Sequence, residues 1–285
     1  MDATNPQDIL NFTAPSRDEM RGFMRLARFW FYPEFLGLWE HDLSRPALFV
    51  GNHTLFGLTD APLMIEHLHT QYGAMLRGLG DRGHFSVPYW GDFLVRHGMV
   101  LGSPENCSAL MNAGQHVLVF PGGAREVMRR RGEAYELIWK KRAGFARLAI
   151  EHGYDIIPFG SVGPDESYRI LADANSVLKR PWLKQAMERT RLWEQTRQGD
   201  FLPPLAMGLG PTLIPRPQRY YFGFGERIST EKFKGQHADK DLVWQVREQV
   251  ADAVRGQIQR LKAYRAEDRK QNWSMARRLL APLND

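Results

Sequence analysis

The sequence predicts an α/β fold with a largely parallel central sheet flanked by helices. Three observations carry this. Between residues 46 and 163, short apolar runs alternate with stretches of helical period. The runs end at Gly, Pro or Asn, residue types that turn a chain out of a strand. Residues 239–267 carry an apolar stripe of period 3.6, as a long helix lying on a sheet requires.

Taken in order, residues 1–40 read as an appendage: a loose arm over 1–16, then an amphipathic helix over 17–31. In RDEMRGFMRLARFWF, Met20, Phe23, Met24, Ala27 and Phe31 share one face, and Arg21, Arg25 and Arg28 gather on another. Such a pair of faces suits a membrane interface; it equally suits a helix packed on its own core. Residues 41–285 read as a single α/β domain. PALFVGNH (46–53) is a buried strand and its exit. DAPLMIEHLHTQYG (60–73) is a helix with Pro62 in its first turn, where a missing N–H does no harm. GAMLRGL follows as a strand, and residues 85–104 run from a helical piece into a short strand over Met99–Leu101. SPENCSALMNAG (103–114) opens on cap-forming residues and closes at a glycine, so it is a helix. HVLVFPGG is a strand running into a glycine turn, residues 144–153 a helix and 154–163 a strand. Residues 165–218 form a less regular insertion, helical and cationic over 177–199, with Pro and Gly breaking any regular element over 200–217. RYYFGFGERI (219–228) is a strand, and Leu242, Val246, Val250, Val254, Ile258 and Leu261 stripe the C-terminal helix.

A chain of 285 residues, 43% hydrophobic and 25% charged, has the composition of a globular protein. Its net charge of +6 suggests an anionic partner: nucleic acid, an anionic membrane or a phosphorylated ligand. Basic residues scattered over the helices without a recognisable module argue against nucleic acid. The lone Cys107 precludes an intrachain disulfide and fits a reducing compartment. The N-terminal residues resemble neither a secretory signal nor a transit peptide. No run reaches the roughly 18 apolar residues of a spanning helix. The nearest, residues 29–39, is interrupted by Pro33, Glu34 and Gly37, so a soluble or surface-bound protein is expected. His67 and His69 sit two apart, diverge on a helix and read as surface residues, and no metal site is expected.

The chemistry concentrates in two places. In GNHTLFGLTD, His53 leaves a buried strand, and ligands of α/β proteins bind at that edge of the sheet. Asp60, seven residues on, can fix the imidazole tautomer and stabilise the cation formed on proton abstraction. The alternative is a hydrogen-bonded turn histidine and an aspartate that caps the next helix. In FPGGAREV (120–127), two glycines let backbone N–H groups face an anion or a developing oxyanion. Arg125 offers a fork for phosphate or carboxylate, and Glu126 is placed to hold it. A nucleotide P-loop is disfavoured by the absence of GxxxxGK[ST]. FGSVG (159–163) approaches a nucleophile elbow around Ser161 but has Phe159 where the first glycine belongs.

In this order, GNHTLFGLTD, FSVPYWGDFLVRHGMVLGSPEN, FPGGAREV and IIPF resemble the glycerolipid acyltransferase superfamily. The likeness is greatest to the diacylglycerol acyltransferase branch that includes the acyltransferase parts of plant phytyl ester synthases, over about residues 45–165 and more weakly to about 230. The resemblance implies that His53 is the general base, paired with Asp60. It implies that Gly122, Gly123 and Arg125 bind the oxyanion or phosphate, with Asn52 and Glu126 in support. Pro88, Gly91 and Gly102 would shape an acceptor pocket. Glycerol-phosphate relatives carry Glu-Gly-Thr-Arg where this chain has Gly122, Gly123, Ala124 and Arg125, which implies a neutral acceptor such as diacylglycerol or a long-chain alcohol. Better-known relatives place the aspartate five residues after the histidine, where this chain has Leu58; Asp60 must then swing back from a longer turn, which Gly57 permits. The implied reaction uses acyl-CoA or acyl carrier protein as donor, a lipid acceptor and no cofactor, on the cytoplasmic face of a membrane. The rival readings are a lipid esterase or thioesterase using Ser161, and a non-catalytic lipid-binding protein on the same fold.

Overall fold

Apolar runs become buried strands only where helices cover both faces of the sheet, and that requirement organises this chain. The computed structural model describes residues 6–87, 89–190, 194, 196–197 and 199–272. Its helices are α1 (Pro6–Leu10), α2 (Arg17–Phe31), α3 (Asp60–Tyr72), α4 (Arg82–Phe85), α5 (Trp90–Arg96), α6 (Pro104–Asn112), α7 (Gly123–Val127), α8 (Gly144–His152), α9 (Ala174–Leu178), α10 (Pro181–Arg189) and α11 (Lys240–Glu267). Its strands are β1 (Glu34–Leu36), β2 (Leu48–Gly51), β3 (Leu76–Gly80), β4 (Val100–Leu101), β5 (His116–Val119), β6 (Ile156–Val162), β7 (Arg169–Ala172), β8 (Leu205–Met207) and β9 (Tyr221–Phe224).

Seven strands form one sheet in the order β1-β9-β6-β2-β5-β3-β4. Every neighbouring pair is parallel except β6 and β9, so the sheet is mixed with a parallel centre. Alternation along β2 splits the core in two. Leu48 and Val50 join Leu110 of α6, Ala146 of α8 and Val250 of α11. Phe49 turns to the other face, with Met24 of α2 and Leu63 of α3. Buried on both faces, β2 and β6 read as unbroken apolar runs.

Several expectations change on folding. The interrupted run after α2 supplies β1, which pairs with residues 221–223 of β9, so the N-terminal segment is part of the sheet. The supposedly irregular 200–217 contains β8, antiparallel to β7; a three-residue strand is too short to show a period. Most of the apolar face of α2 is covered, because Met20, Met24 and Phe31 pack into the core beside α3. Arg28, assigned to the basic face, is buried against Glu66 at 2.9 Å. Phe23 and Leu26 stay exposed. His67 and His69 are not surface residues. His69 is buried, with Nε2 2.9 Å from the Pro15 carbonyl, and His67 stacks on Phe35 with centroids 3.7 Å apart.

His67 makes stability depend on pH. Burial, and then the charge of Arg28, push its imidazole down to about 3, whereas an unfolded imidazole titrates near 6.5. The unfolded chain therefore takes up the proton first. This contribution is complete above about pH 6.5 and is lost as pH falls towards 3, by at most about 1.4 kcal/mol per pH unit. Urea midpoints of the wild type should drop between pH 7 and pH 5, and those of His67→Phe should drop less; equal drops in both proteins would refute the assignment.

Candidate active site

The site begins where β2 stops. Beyond Gly51 the side chain of Asn52 takes the next rung of the ladder: its Nδ2 donates to the Ser161 carbonyl at 3.0 Å and its Oδ1 accepts from the Ser161 N–H at 2.8 Å. The backbone is thereby released from the sheet, and His53 stands at the carboxyl edge. Its peptide groups are held on both sides. The His53 N–H donates to Glu126 Oε2 at 3.1 Å, and its carbonyl accepts from Arg129 Nη2 at 2.7 Å. The ring stacks on Phe120, centroids 3.9 Å apart and 8° from parallel.

His53 Nδ1 lies 3.2 Å from Asp60 Oδ2, and that oxygen also accepts from the Thr54 N–H at 3.1 Å and the Thr54 hydroxyl at 2.8 Å. Asp60 Oδ1 accepts from the Ala61 N–H at 2.8 Å. The aspartate thus serves the helix start and the histidine at once, with one oxygen for each. Burial raises its carboxyl, but the His53 charge and the hydrogen bonds from His53, Thr54 and Ala61 outweigh that and hold it at about 2. An ionised carboxylate only accepts, so Nδ1 carries the proton that faces Asp60, and in the neutral form of the ring the lone pair lies on Nε2. About 16% of the His53 side chain is exposed, against 2% for Asp60. Such an imidazole can take a proton from a bound hydroxyl.

The seven-residue spacing closes because two successive residues, Phe56 and Gly57, adopt positive φ of 63° and 61°. Leu58 is pushed into solvent. Gly57 lies flat against the reactive edge of the ring: a Cβ there would sit 2.5 Å from His53 Nε2.

The glycine-arginine block behaves differently from expectation. Glu126 does not hold Arg125; its two oxygens take the N–H groups of His53 and Ile138, the latter at 3.0 Å. Arg125, 5% exposed, is enclosed instead by Glu133 at 2.5 Å and Asp200 at 3.4 Å. The Gly123 N–H is used inside the turn, donating to the Phe120 carbonyl at 3.0 Å. Arg142 Nη1 donates to the Gly122 carbonyl and, at 3.0 Å, to the Pro121 carbonyl. A peptide N–H points opposite to its carbonyl, so the Gly122 N–H is directed away from Arg142. Gly102 lines a cleft with Phe120 and Gly123. Gly91 packs on the Phe85 backbone, where a Cβ would come within 3.0 Å of the carbonyl oxygen. Pro88 lies outside the described residues. Ser161 is fully buried within β6, so no nucleophile elbow forms there.

Sequence reasoning overlooked Thr54, Arg129, Asp165 and Arg142. Asp165 stands 3.3 Å from Arg129 and accepts the Leu55 and Tyr135 N–H groups at 2.8 and 3.0 Å. In MRRRG only the first arginine is fully buried, and no local pattern distinguishes it from its neighbours.

Glu126→Gln keeps the shape but leaves one acceptor for two buried N–H groups. We expect a loss of about 1–3 kcal/mol in urea denaturation, the penalty of an orphaned buried donor. An unchanged midpoint would show that the His53 peptide needs no such anchor.

The sequence profile of the family described as Acyltransferase matches residues 33–162, which contain His53, Asp60 and the 122–125 block. Phytyl ester synthase 2, chloroplastic, of Arabidopsis thaliana is 34% identical over 78% of this chain and 33% of its own length. Diacylglycerol O-acyltransferase 2A of Umbelopsis ramanniana is 26% identical over 65% of this chain and 52% of its own. The chain therefore spans a third to a half of the length of these relatives. The crystal structure of the 1-acyl-sn-glycerophosphate acyltransferase from Thermotoga maritima matches with a TM-score of 0.54, covering 90% of this chain and 81% of that one at 15% identity. That likeness is one of fold. The profile match and these relatives together lead to one conclusion: residues 33–162 match the Acyltransferase family, and the chain is similar over most of its length to phytyl ester synthase sequences.

Proposed function

We propose that the protein is an O-acyltransferase that moves a fatty acyl group from acyl-CoA or acyl carrier protein to the hydroxyl of a neutral lipid acceptor, diacylglycerol or a long-chain alcohol. The observation that carries this reading is the His53–Asp60 pair, with Nε2 left as the open acceptor. His53 Nε2 takes the proton of the acceptor hydroxyl as its oxygen attacks the thioester carbonyl. A C–O bond forms, and the oxyanion of the tetrahedral intermediate is met by the Gly122 N–H. One such donor is worth about 2.7–4 kcal/mol in other enzymes. The C–S bond then breaks, and the thiolate recovers the proton from the imidazolium that Asp60 stabilises. No acyl-enzyme is needed. Ser161 is fully buried, and Cys107 is buried with its thiol pushed up to about 12.

A neutral acceptor is favoured because Arg125 is already occupied by Glu133 and Asp200 and has little capacity left for an acceptor phosphate. The relatives' names point the same way, to a phytyl ester and to diacylglycerol. The acceptor would be met at a membrane surface. Among the described residues no helix is long and apolar enough to cross a bilayer, and Phe23, Leu26, Tyr89 and Trp90 remain exposed as apolar contacts.

The test is free-thiol release from a long-chain acyl-CoA, with and without diacylglycerol or a fatty alcohol. Wild type should show acceptor-dependent release, and His53→Ala should lose at least about 100-fold. Release that ignores the acceptor would identify a thioesterase, and full activity in the mutant would remove His53 from the chemistry. Gly57→Ala should lose turnover comparably, because its Cβ would enter the space of the imidazole edge; wild-type rates in that variant would mean that the turn is not fixed against His53.

A further inference from the structure

With Arg125 closed, a substrate that carries phosphate must find its cations elsewhere. One cleft beside the His53 loop supplies them. Leu55, Tyr168 and Leu171 form its apolar wall, and Arg130, Arg131 and Arg169 stand around it. Its floor is Arg129, the same side chain that holds the His53 carbonyl at 2.7 Å. The cleft and the imidazole therefore share one anchored side chain.

The charges there are not balanced. Asp165, the carboxylate lining the cleft, is committed to Arg129 and to the Leu55 and Tyr135 N–H groups. Asp173 is turned into the start of α9 and onto the Arg131 N–H. Asp200 is shared among Arg125, Arg130 and Lys140. Among the described residues the Arg130 guanidinium otherwise donates to the neutral Asn175 Oδ1, at 3.0 Å, while its backbone N–H goes to Glu133 at 2.7 Å. Among the described residues the Arg131 guanidinium meets the Ile170 and Leu171 carbonyls, at 3.1 and 2.5 Å, and no carboxylate. Arg169 is exposed and has no ion-pair or hydrogen-bond partner among the described residues. Two guanidinium forks without carboxylate partners among the described residues, Arg131 and Arg169, set beside an apolar wall, are the chemistry that recognises phosphate rather than a neutral lipid.

We propose that this cleft binds the phosphate ester or diphosphate group of a phosphorylated ligand held beside the His53 site. Its link to catalysis rests on the acyl-transfer reading; its anion chemistry does not. Two sources carry such groups: the nucleotide end of coenzyme A and the headgroup of an anionic lipid.

The experiment uses the full chain carrying His53→Ala, with and without Arg169→Glu, so that binding is read without turnover. Calorimetry with coenzyme A and sedimentation with phosphatidylcholine vesicles, with and without phosphatidate, separate the two sources. The Arg169 side chain is exposed and has no ion-pair or hydrogen-bond partner among the described residues, so the variant should fold, and its melting point checks this. Coenzyme A affinity should fall about tenfold in Arg169→Glu, with a shallower salt dependence than in the parent. A fall confined to phosphatidate vesicles would support the cleft with the lipid headgroup as its ligand. No binding of either probe, or equal binding with and without the substitution, overturns the proposal. The two readings fail separately. A cleft that loses coenzyme A on Arg169→Glu stands even if thiol release is never seen. Conversely, His53-dependent release whose donor KM and acceptor KM are untouched by Arg169→Glu removes the cleft alone.

Discussion

The grip of Glu126 and Arg129 on the His53 peptide is the interaction on which the rest of the site depends. One takes the N–H and the other the carbonyl, from positions only three residues apart in the chain. Both are buried ionisable groups, which the interior tolerates when they are paired or hydrogen-bonded. The partners are here: Ile138 for Glu126, and Asp165 with the Glu133 and Glu136 carbonyls for Arg129. Asp165 follows β6 and Glu126 follows β5, while His53 follows β2. The loops leaving three adjacent strands are thus tied by charge and hydrogen bonds rather than by apolar packing. Such a network fixes position sharply, because a shift of one member orphans the others.

Around that anchor each feature answers a separate geometric need. Asn52 lends its amide to the sheet so that the backbone can leave it. Phe120 lies flat under the imidazole and fixes its plane. Asp60 fixes the rotation of the ring within that plane and the identity of the protonated nitrogen. The paired positive φ angles at Phe56 and Gly57 let the long connection curl so that the helix can return its first carboxylate to the ring. Arg142 orients the glycine turn by its carbonyls, from a position about twenty residues downstream.

Most of the framework was legible because period is a local property. The strands over 46–53, 116–119 and 154–163 and the helices over 60–73 and 239–267 follow from apolar spacing and from Gly and Pro at their ends. His53 and Asp60 were legible because a strand exit followed by a helix start brings two such residues to one edge. What stayed hidden depended on distant partners. β1 is three residues long, and its pairing strand begins at Tyr221. Arg125 looked free because its carboxylates, Glu133 and Asp200, lie outside the motif. Arg129 was one of three consecutive arginines, and only the folded chain turns the first inward and the third out to solvent. His67 looked like a surface residue until β1 brought Phe35 against it.

Should the protein adsorb to a lipid surface, as the proposed function has it, the outer strands of its sheet carry a consequence. Adsorption concentrates a protein in two dimensions and presents its edges repeatedly to its neighbours. Here one border is β1, three residues long, and the other is β4, only two. Short borders give a neighbouring molecule few backbone groups to pair with. The fully buried apolar strands, β2 and the seven-residue β6, sit inside the order. The arrangement therefore resists the edge-to-edge polymerisation that crowding at an interface promotes.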